Sequence, residues 1–253
     1  MADRALSFGA NAAGYDRYRL SYPVEVVDRI RAYATAPLVR AIEIGAGTGK
    51  ATTVVAGGGI DVTAVEPDPV MLGVLVANTA GLEVTPVRST FEAVGTPAHF
   101  DLLYAAAAWH WTDPETRWTR AAALVRAGGT VAFFGGPMEI ADYDVRGAVV
   151  AARRALVPED EIPSPGECPA EDDLEWPGTE LLESELFTDV EQQVMPRRPL
   201  VRADDYVGHL STVSAYLQLQ AADRDEVLRR VRAVLPPEVE MRADITLHLA
   251  RRV

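Results

Sequence analysis

Apolar and polar positions change their rhythm several times along the chain, and each change marks a predicted element. After a polar, tyrosine-bearing opening, Pro23 leads into VEVVDRIRAYA, where Val26, Val27, Ile30 and Tyr33 recur at helical spacing. A proline suits the first turn of such a helix. LVRAIEI (38–44) has the unbroken apolar look of a buried strand, Gly45–Gly49 that of a turn, and TGKATTVVA that of a short helix stopped by Gly57-Gly58-Gly59. IDVTAVE (60–66) predicts a second strand, followed by a helix from about Asp68 to Ala77. LEVTPV (82–87) is a third strand, FDLLYAAA (100–107) a fourth, and GGTVAFFGG (128–136) a fifth, with a Pro114-started helix running to Arg126 before it. Strands alternating with helices at this pace predict a parallel sheet with crossover helices.

Beyond Gly136 the rhythm changes. A helix is expected over 141–156, then a proline- and acid-rich loop over 157–178 that suits a lid or disorder. FTDVEQQVM (187–195) alternates as a strand does, and ADDYVGHLSTVSAYLQL (203–219) and DRDEVLRRVRAVL (223–235) read as helices. VEMRADITLHLARRV (239–253) alternates throughout and predicts one closing strand. No internal repeat is present, and the 253 residues fit one doubly wound α/β domain.

Composition narrows the partners. With 48% hydrophobic and 24% charged residues the chain can bury a sizeable core. A net charge of −13 argues against a phosphate-backbone partner, so no nucleic acid is expected. No run of apolar residues reaches the roughly 18 to 20 that a membrane span needs, and no signal-peptide core is present. Cys168 is the only cysteine, which suits a reducing cytoplasm, and its proline-rich surroundings read as those of an inert surface thiol. His99, His209 and His248 share no metal-ligand spacing and are expected at surface or half-buried positions.

The chemistry concentrates in AIEIGAGTGKAT, Ala41 to Thr52. A Walker phosphate loop needs a Ser or Thr after its Gly-Lys, but Ala51 follows Gly49-Lys50, and the motif's first glycine falls on Ile44. A dinucleotide turn needs a third glycine where Lys50 stands. Glu43, two residues ahead of Gly45, would repel a pyrophosphate lying on the helix N-terminus. It suits instead a ligand with an ammonium group, and the loop amides suit that ligand's carboxylate. Glu66, at the tip of the second strand, is placed to accept the hydroxyls of a ribose. An amino acid joined to a nucleoside without phosphate describes S-adenosylmethionine.

EIGAGTG followed by VEPDPVML resembles the class I S-adenosylmethionine-dependent methyltransferases, the type 11 small-molecule group in particular. The resemblance extends to STFEAV, FDLLYAAAAWHW and LVRAGGTVAFF, and to AAGYDRYRLSYP near the N-terminus, covering most of residues 8–136. It implies a Rossmann-like, mostly parallel seven-stranded sheet, helices on both faces, and a helical cap from about 137–215. Residues 1–36 would then form a helical segment covering the cofactor, bringing Tyr15, Arg19 and Tyr22 near its methionine end. Glu43, Gly45, Ala46, Gly47, Thr48 and Gly49 would cradle the methionine moiety, and Glu66 would hold the ribose. Pro67 and Met71 would flank the adenine. Thr90 and Phe91 fall where the family places contacts to the adenine, although its usual Asp is replaced by Thr90. Ala107 and Trp109 would line the pocket at the end of the fourth strand.

His110 has two readings. A neutral imidazole there can take a proton from a hydroxyl or amine nucleophile; alternatively, the Trp109-His110-Trp111 side chains pack beneath the cofactor and fix the loop. The expected activity is methyl transfer from S-adenosylmethionine to an O, N or C atom of a small organic molecule, releasing S-adenosylhomocysteine. The high alanine, arginine and valine usage, common in high-GC bacteria, points to secondary metabolism. The protein is expected as a monomer or homodimer, without metal. Two other activities keep the same residues: S-adenosylmethionine binding without methyl transfer, and, from another class, NAD-dependent oxidation and reduction.

Overall fold

In the computed structural model, described over residues 11–95, 99–157 and 173–253, the predicted strands assemble as β1 (Arg40–Ile44), β2 (Asp61–Val65), β3 (Val84–Val87), β4 (Phe100–Ala106) and β5 (Val125–Gly135). β7 (Phe187–Met195) and β10 (Ile245–Arg252) complete a seven-stranded sheet of order β3-β2-β1-β4-β5-β10-β7. The pairs β3–β2, β2–β1, β1–β4 and β4–β5 are parallel, whereas β10 runs antiparallel to both neighbours. Cys168 and most of the proline-rich stretch, 158–172, lie outside the described residues.

Both sheet faces are apolar because adjacent residues of the central strands point to opposite sides. Tyr104 and Leu102 join Val26, Ile30, Val55 and Leu75 in one core layer, while Leu103 and Ile42 join Phe133, Trp109 and Leu181 in the other. The first layer is closed by α2 (Glu25–Tyr33), α3 (Lys50–Gly57) and α4 (Pro69–Asn78), and the second by α5 (Arg117–Leu124) and α7 (Gly178–Glu183). EPDP sets the start of α4: Pro69 occupies its first turn, and the Asp68 carboxylate accepts from the Val70 and Met71 amides at 2.7 and 3.0 Å. α1 (Ala12–Tyr18) precedes these elements.

A second, smaller sheet, β6-β9-β8, is built from β6 (Glu139–Ile140), β8 (Leu200–Arg202) and β9 (Glu238–Arg242). With α6 (Tyr143–Arg153), α8 (Ala203–Leu210), α9 (Ser214–Leu217) and α10 (Ala221–Val234) it encloses its own core around Tyr206, Tyr216, Val227, Val231 and Met241. This cap therefore extends to residue 242, past the expected limit near 215, because α10 and β9 supply Val227, Val231, Val239 and Met241 to its core.

Three expected elements differ. The closing strand over 239–253 is two strands in two sheets, separated at Ala243-Asp244. Val239, Met241, Ala243, Ile245, Leu247 and Leu249 are all buried, so the alternation runs unbroken through the point where the chain changes sheets. The helix expected over 203–219 stops at Leu210 and resumes at Ser214, where the Thr212 hydroxyl bonds back to the His209 carbonyl at 2.7 Å and the Ser211 hydroxyl to that of Gly208 at 2.6 Å. The helix expected from Pro114 begins at Arg117, because Asp113 instead holds a turn by accepting from the Glu115 amide and Thr116 hydroxyl.

Candidate functional site

The parallel strands end on one edge, and a cleft opens there between the main sheet, α1 and the cap. The loop joining β1 to α3 forms its floor. Gly45 has φ +67°, and a Cβ on it would lie 2.5 Å from the Ala108 side chain, so the loop can pass the end of β4 only as glycine. Gly47 and Gly49 also have positive φ. Ala107, at the tip of β4, holds φ +51° without being glycine, and its amide donates to the Phe134 carbonyl at 2.8 Å. Backbone strain of this kind gathers at functional edges.

Glu43 lies on the floor and is 1% exposed. Its Oε2 accepts from the Thr52 hydroxyl at 2.5 Å and the Tyr104 hydroxyl at 2.8 Å. Burial raises its pKa to about 8, against the opposing pull of the two hydroxyl bonds. At neutral pH the carboxyl is thus held largely protonated unless a cation enters beside it. Glu66 braces the loop: Oε2 accepts from the Gly47 amide and Oε1 from the Asp68 amide, both at 2.9 Å. Burial raises its pKa also, opposed by these two amides. Thr48 is buried beside it with its hydroxyl unpartnered among the described residues.

The walls come from α1 and the cap. The Arg19 guanidinium lies 5.1 Å from the Tyr15 ring centre and donates to the Thr212 hydroxyl at 3.1 Å and carbonyl at 3.3 Å, tying the N-terminal segment to the turn after α8. Burial lowers its pKa. Tyr22 meets Phe134 edge to face at 5.0 Å, and burial raises its phenol. The cap adds Met138, Arg197 and His209, and Asp244 joins from the turn between β9 and β10; none of the four was singled out as a site residue in the sequence. They lie far from the glycine loop along the chain, and no motif links them to it.

Of the expected site residues, the cleft gathers Tyr15, Arg19, Tyr22, Glu43, Gly45, Ala46, Gly47, Thr48 and Ala107. Gly49 begins α3, and Met71 sits behind the loop with Cε 3.6 Å from where a Cβ on Gly47 would be. Glu66 and Pro67 follow β2, Glu66 reaching the cleft through Gly47. Thr90 is exposed beyond β3, while Phe91 is buried against Trp109, ring centres 5.2 Å apart. Trp109 is 3% exposed and wedged among Phe91, Phe133 and Trp118. His110 occupies a 3-10 turn against Trp111, and burial of its ring lowers its pKa. It faces a second hollow with Trp176 and His248, which shares Ala107, Gly136 and Pro137 with the first. His209 and His248 are both buried, contrary to the surface or half-buried positions expected, with pKa values pushed by burial to about 3 and about 4. Among the described residues, no three His, Cys, Asp or Glu side chains form a metal cluster, and no helix is long and apolar enough to cross a membrane.

Comparison with known proteins bears on this edge of the sheet. Residues 42–133 match the family model described as a methyltransferase domain. An uncharacterized methyltransferase of Mycobacterium tuberculosis is 39% identical over 128 residues, which cover 50% of this chain and 51% of that protein. The chain thus spans about half the length of the curated relatives it matches. A solved structure from Anaeromyxobacter dehalogenans, itself proposed to be a type II methyltransferase, superposes with a TM-score of 0.64 at 23% identity, covering 93% of this chain and 98% of that one. The phosphoethanolamine N-methyltransferase 2 of Haemonchus contortus in complex with S-adenosyl-L-methionine gives 0.52 at 15% identity, covering 96% and 57%. At these identities both structures speak to the fold alone.

Proposed function

From the match of residues 42–133 to a methyltransferase domain, we propose that the chain is a class I S-adenosylmethionine-dependent methyltransferase, transferring a methyl group from S-adenosylmethionine to a small organic acceptor and releasing S-adenosylhomocysteine. One observation carries the reading. A sealed carboxyl, Glu43, borders a glycine loop in which Gly45 passes Ala108 too closely to carry a side chain. Such a floor favours an ammonium-bearing ligand and disfavours a phosphate.

The residues fit this cofactor. Glu43 and the amides of Gly45 to Gly49 would hold the methionine moiety, with the unpartnered Thr48 hydroxyl as a further donor. Glu66 would exchange an amide bond for ribose hydroxyls, with Pro67, Met71, Thr90 and Phe91 toward the adenine. Tyr15, Arg19 and Tyr22 would close over the methionine end, and Ala107 would shape the wall at β4 with Trp109 packed behind it. When bound, the cofactor supplies an electrophilic methyl on sulfur. The chain's own work is then alignment and exclusion of water, which the N-terminal segment and cap perform by meeting through Arg19 and Thr212. We place the protein in the cytoplasm and the acceptor in bacterial secondary metabolism, with the cap selecting the acceptor.

Calorimetry against S-adenosylmethionine, S-adenosylhomocysteine, NADH and ATP tests the reading. Binding is expected for the first two only, and tight NADH binding with none for S-adenosylmethionine would overturn it. Glu66→Ala should weaken S-adenosylmethionine by about tenfold or more, the worth of hydrogen bonds to a charged group. Unchanged affinity would remove the ribose role.

A further inference from the structure

The charged groups of the cleft do not balance. Glu43 is sealed and shared between two hydroxyls. Asp244 accepts from the Arg197 amide at 2.9 Å and pairs with the Arg198 guanidinium, which is not in the cleft lining. Lys50 lies 3.8 Å from Asp16. The Arg197 guanidinium has no hydrogen bond and no carboxylate partner among the described residues, although the protein carries a net charge of −13. Among the described residues Arg197 is anchored through its backbone, the amide donating to Asp244 and the carbonyl accepting from the Ala243 amide and the Arg198 guanidinium. An excess of acid elsewhere makes an uncompensated arginine in a cleft conspicuous, because planar guanidinium groups are suited to carboxylates and phosphates.

His209 borders the same cleft from α8, 7% exposed and stacked on Tyr206 with ring centres 6.4 Å apart. Its Nδ1 is buried without a partner. A buried lone pair costs less unpaired than a buried N–H, so the proton belongs on Nε2. Burial, with the charge of Arg19 adding to it, keeps the ring neutral at physiological pH. A neutral imidazole in that tautomer is a fixed hydrogen-bond donor and not a base.

We infer that Arg197, assisted by His209, forms an acceptor subsite that recognises an anionic oxygen group, a carboxylate or a phosphate monoester, beside the cofactor position. The inference rests on the cofactor reading above and adds the acceptor's charge to it. Arg197 supplies the charge and the paired donors, and His209 a directed N–H. The two reach the cleft from separate segments of the cap, one between β7 and β8 and one on α8, so the subsite exists only once the cap is assembled.

The test uses the full chain loaded with S-adenosylhomocysteine and titrated at low ionic strength with benzoate, phenyl phosphate and benzamide. At least one of the two anions should bind and benzamide should not, and which anion binds separates carboxylate from phosphate recognition. Arg197→Gln should weaken that anion by about tenfold or more, with Arg197→Lys intermediate. S-Adenosylhomocysteine affinity should stay within about twofold in both variants, since the backbone bonds that hold residue 197 survive the change. His209→Phe should weaken the anion by a smaller factor, about fivefold for one neutral donor. Benzamide binding as well as the anions, no anion binding to the loaded protein, or equal anion affinity in Arg197→Gln would each overturn the subsite. Failure of S-adenosylhomocysteine to bind the wild-type chain would instead sink the cofactor reading beneath it.

Discussion

The floor of the cleft and its cap wall meet the same space by opposite means. The floor presents backbone: glycines at positive φ, a strained Ala107, and one sealed carboxyl whose hydrogen bonds all come from its own half of the protein. The cap wall presents long side chains, Arg197 and Met138, together with a buried imidazole left short of a partner. A backbone floor suits a ligand that never changes, because it leaves few positions open to substitution. A side-chain wall can be re-lettered without disturbing the strands beneath it. On the proposed reading, the floor would hold the cofactor and the cap wall the acceptor.

Several outcomes would break or sharpen that contrast. The largest concerns the cap's own integrity: Met241→Ala empties a fully buried site and should cost about 2–5 kcal/mol of stability. Denaturant unfolding would measure the loss. Amide exchange should then rise more in β8 and β9 than in β1 and β4, and an equal rise across both would mean that cap and sheet open as one. Gly45→Val places a side chain where Ala108 already sits, at a φ that valine avoids. About 3 kcal/mol of strain converts to a loss of S-adenosylhomocysteine affinity of roughly 100-fold, and calorimetry showing less than tenfold would mean the loop yields.

The pH dependence of binding tests the sealed carboxyl. Burial raises Glu43 to about 8 in the folded protein. The unfolded chain releases that proton at the ordinary carboxylate pKa, so in the window between them the unfolded state binds fewer protons and stability falls as pH rises, levelling above about 8. A cationic ligand favours the ionised form and must expel the proton. S-Adenosylmethionine affinity should therefore increase by up to about tenfold per pH unit through this window and flatten beyond it. Glu43→Gln should remove the slope; a slope that persists would place the titrating group elsewhere. The smallest effect belongs to His110→Ala. Facing the second hollow, it should alter S-adenosylhomocysteine affinity by less than about twofold. A greater loss would make the two hollows one site.

The main sheet was legible because its signals are local. Buried parallel strands appear as unbroken apolar runs, Asp68-Pro69 announces a helix start, and glycine at Gly45 is required where the loop passes Ala108. The cap was not, for reasons visible in particular residues. β6 and β8 are too short to show a period. The alternation from Val239 to Leu249 continues across the change of sheet, since a period of two reports which side is buried and not which sheet buries it. Thr212 broke a helix through a side-chain bond that its composition did not advertise.

The same division holds within the site. Residue chemistry and spacing alone determined the parallel α/β frame and the mismatch of the loop to the Walker and dinucleotide motifs, and they singled out Glu43 and Glu66, because all of these depend on neighbours a few residues apart. Tertiary structure decided what those carboxyls touch: Thr52 and Tyr104 around Glu43, and the Gly47 and Asp68 amides around Glu66. It also decided that Trp109 is core and that His209, with no motif around it, is a buried wall of the cleft beside Arg197. Burial and the pairing of charge are properties of segments brought together from far along the chain. No local pattern records which guanidinium has been left without a partner.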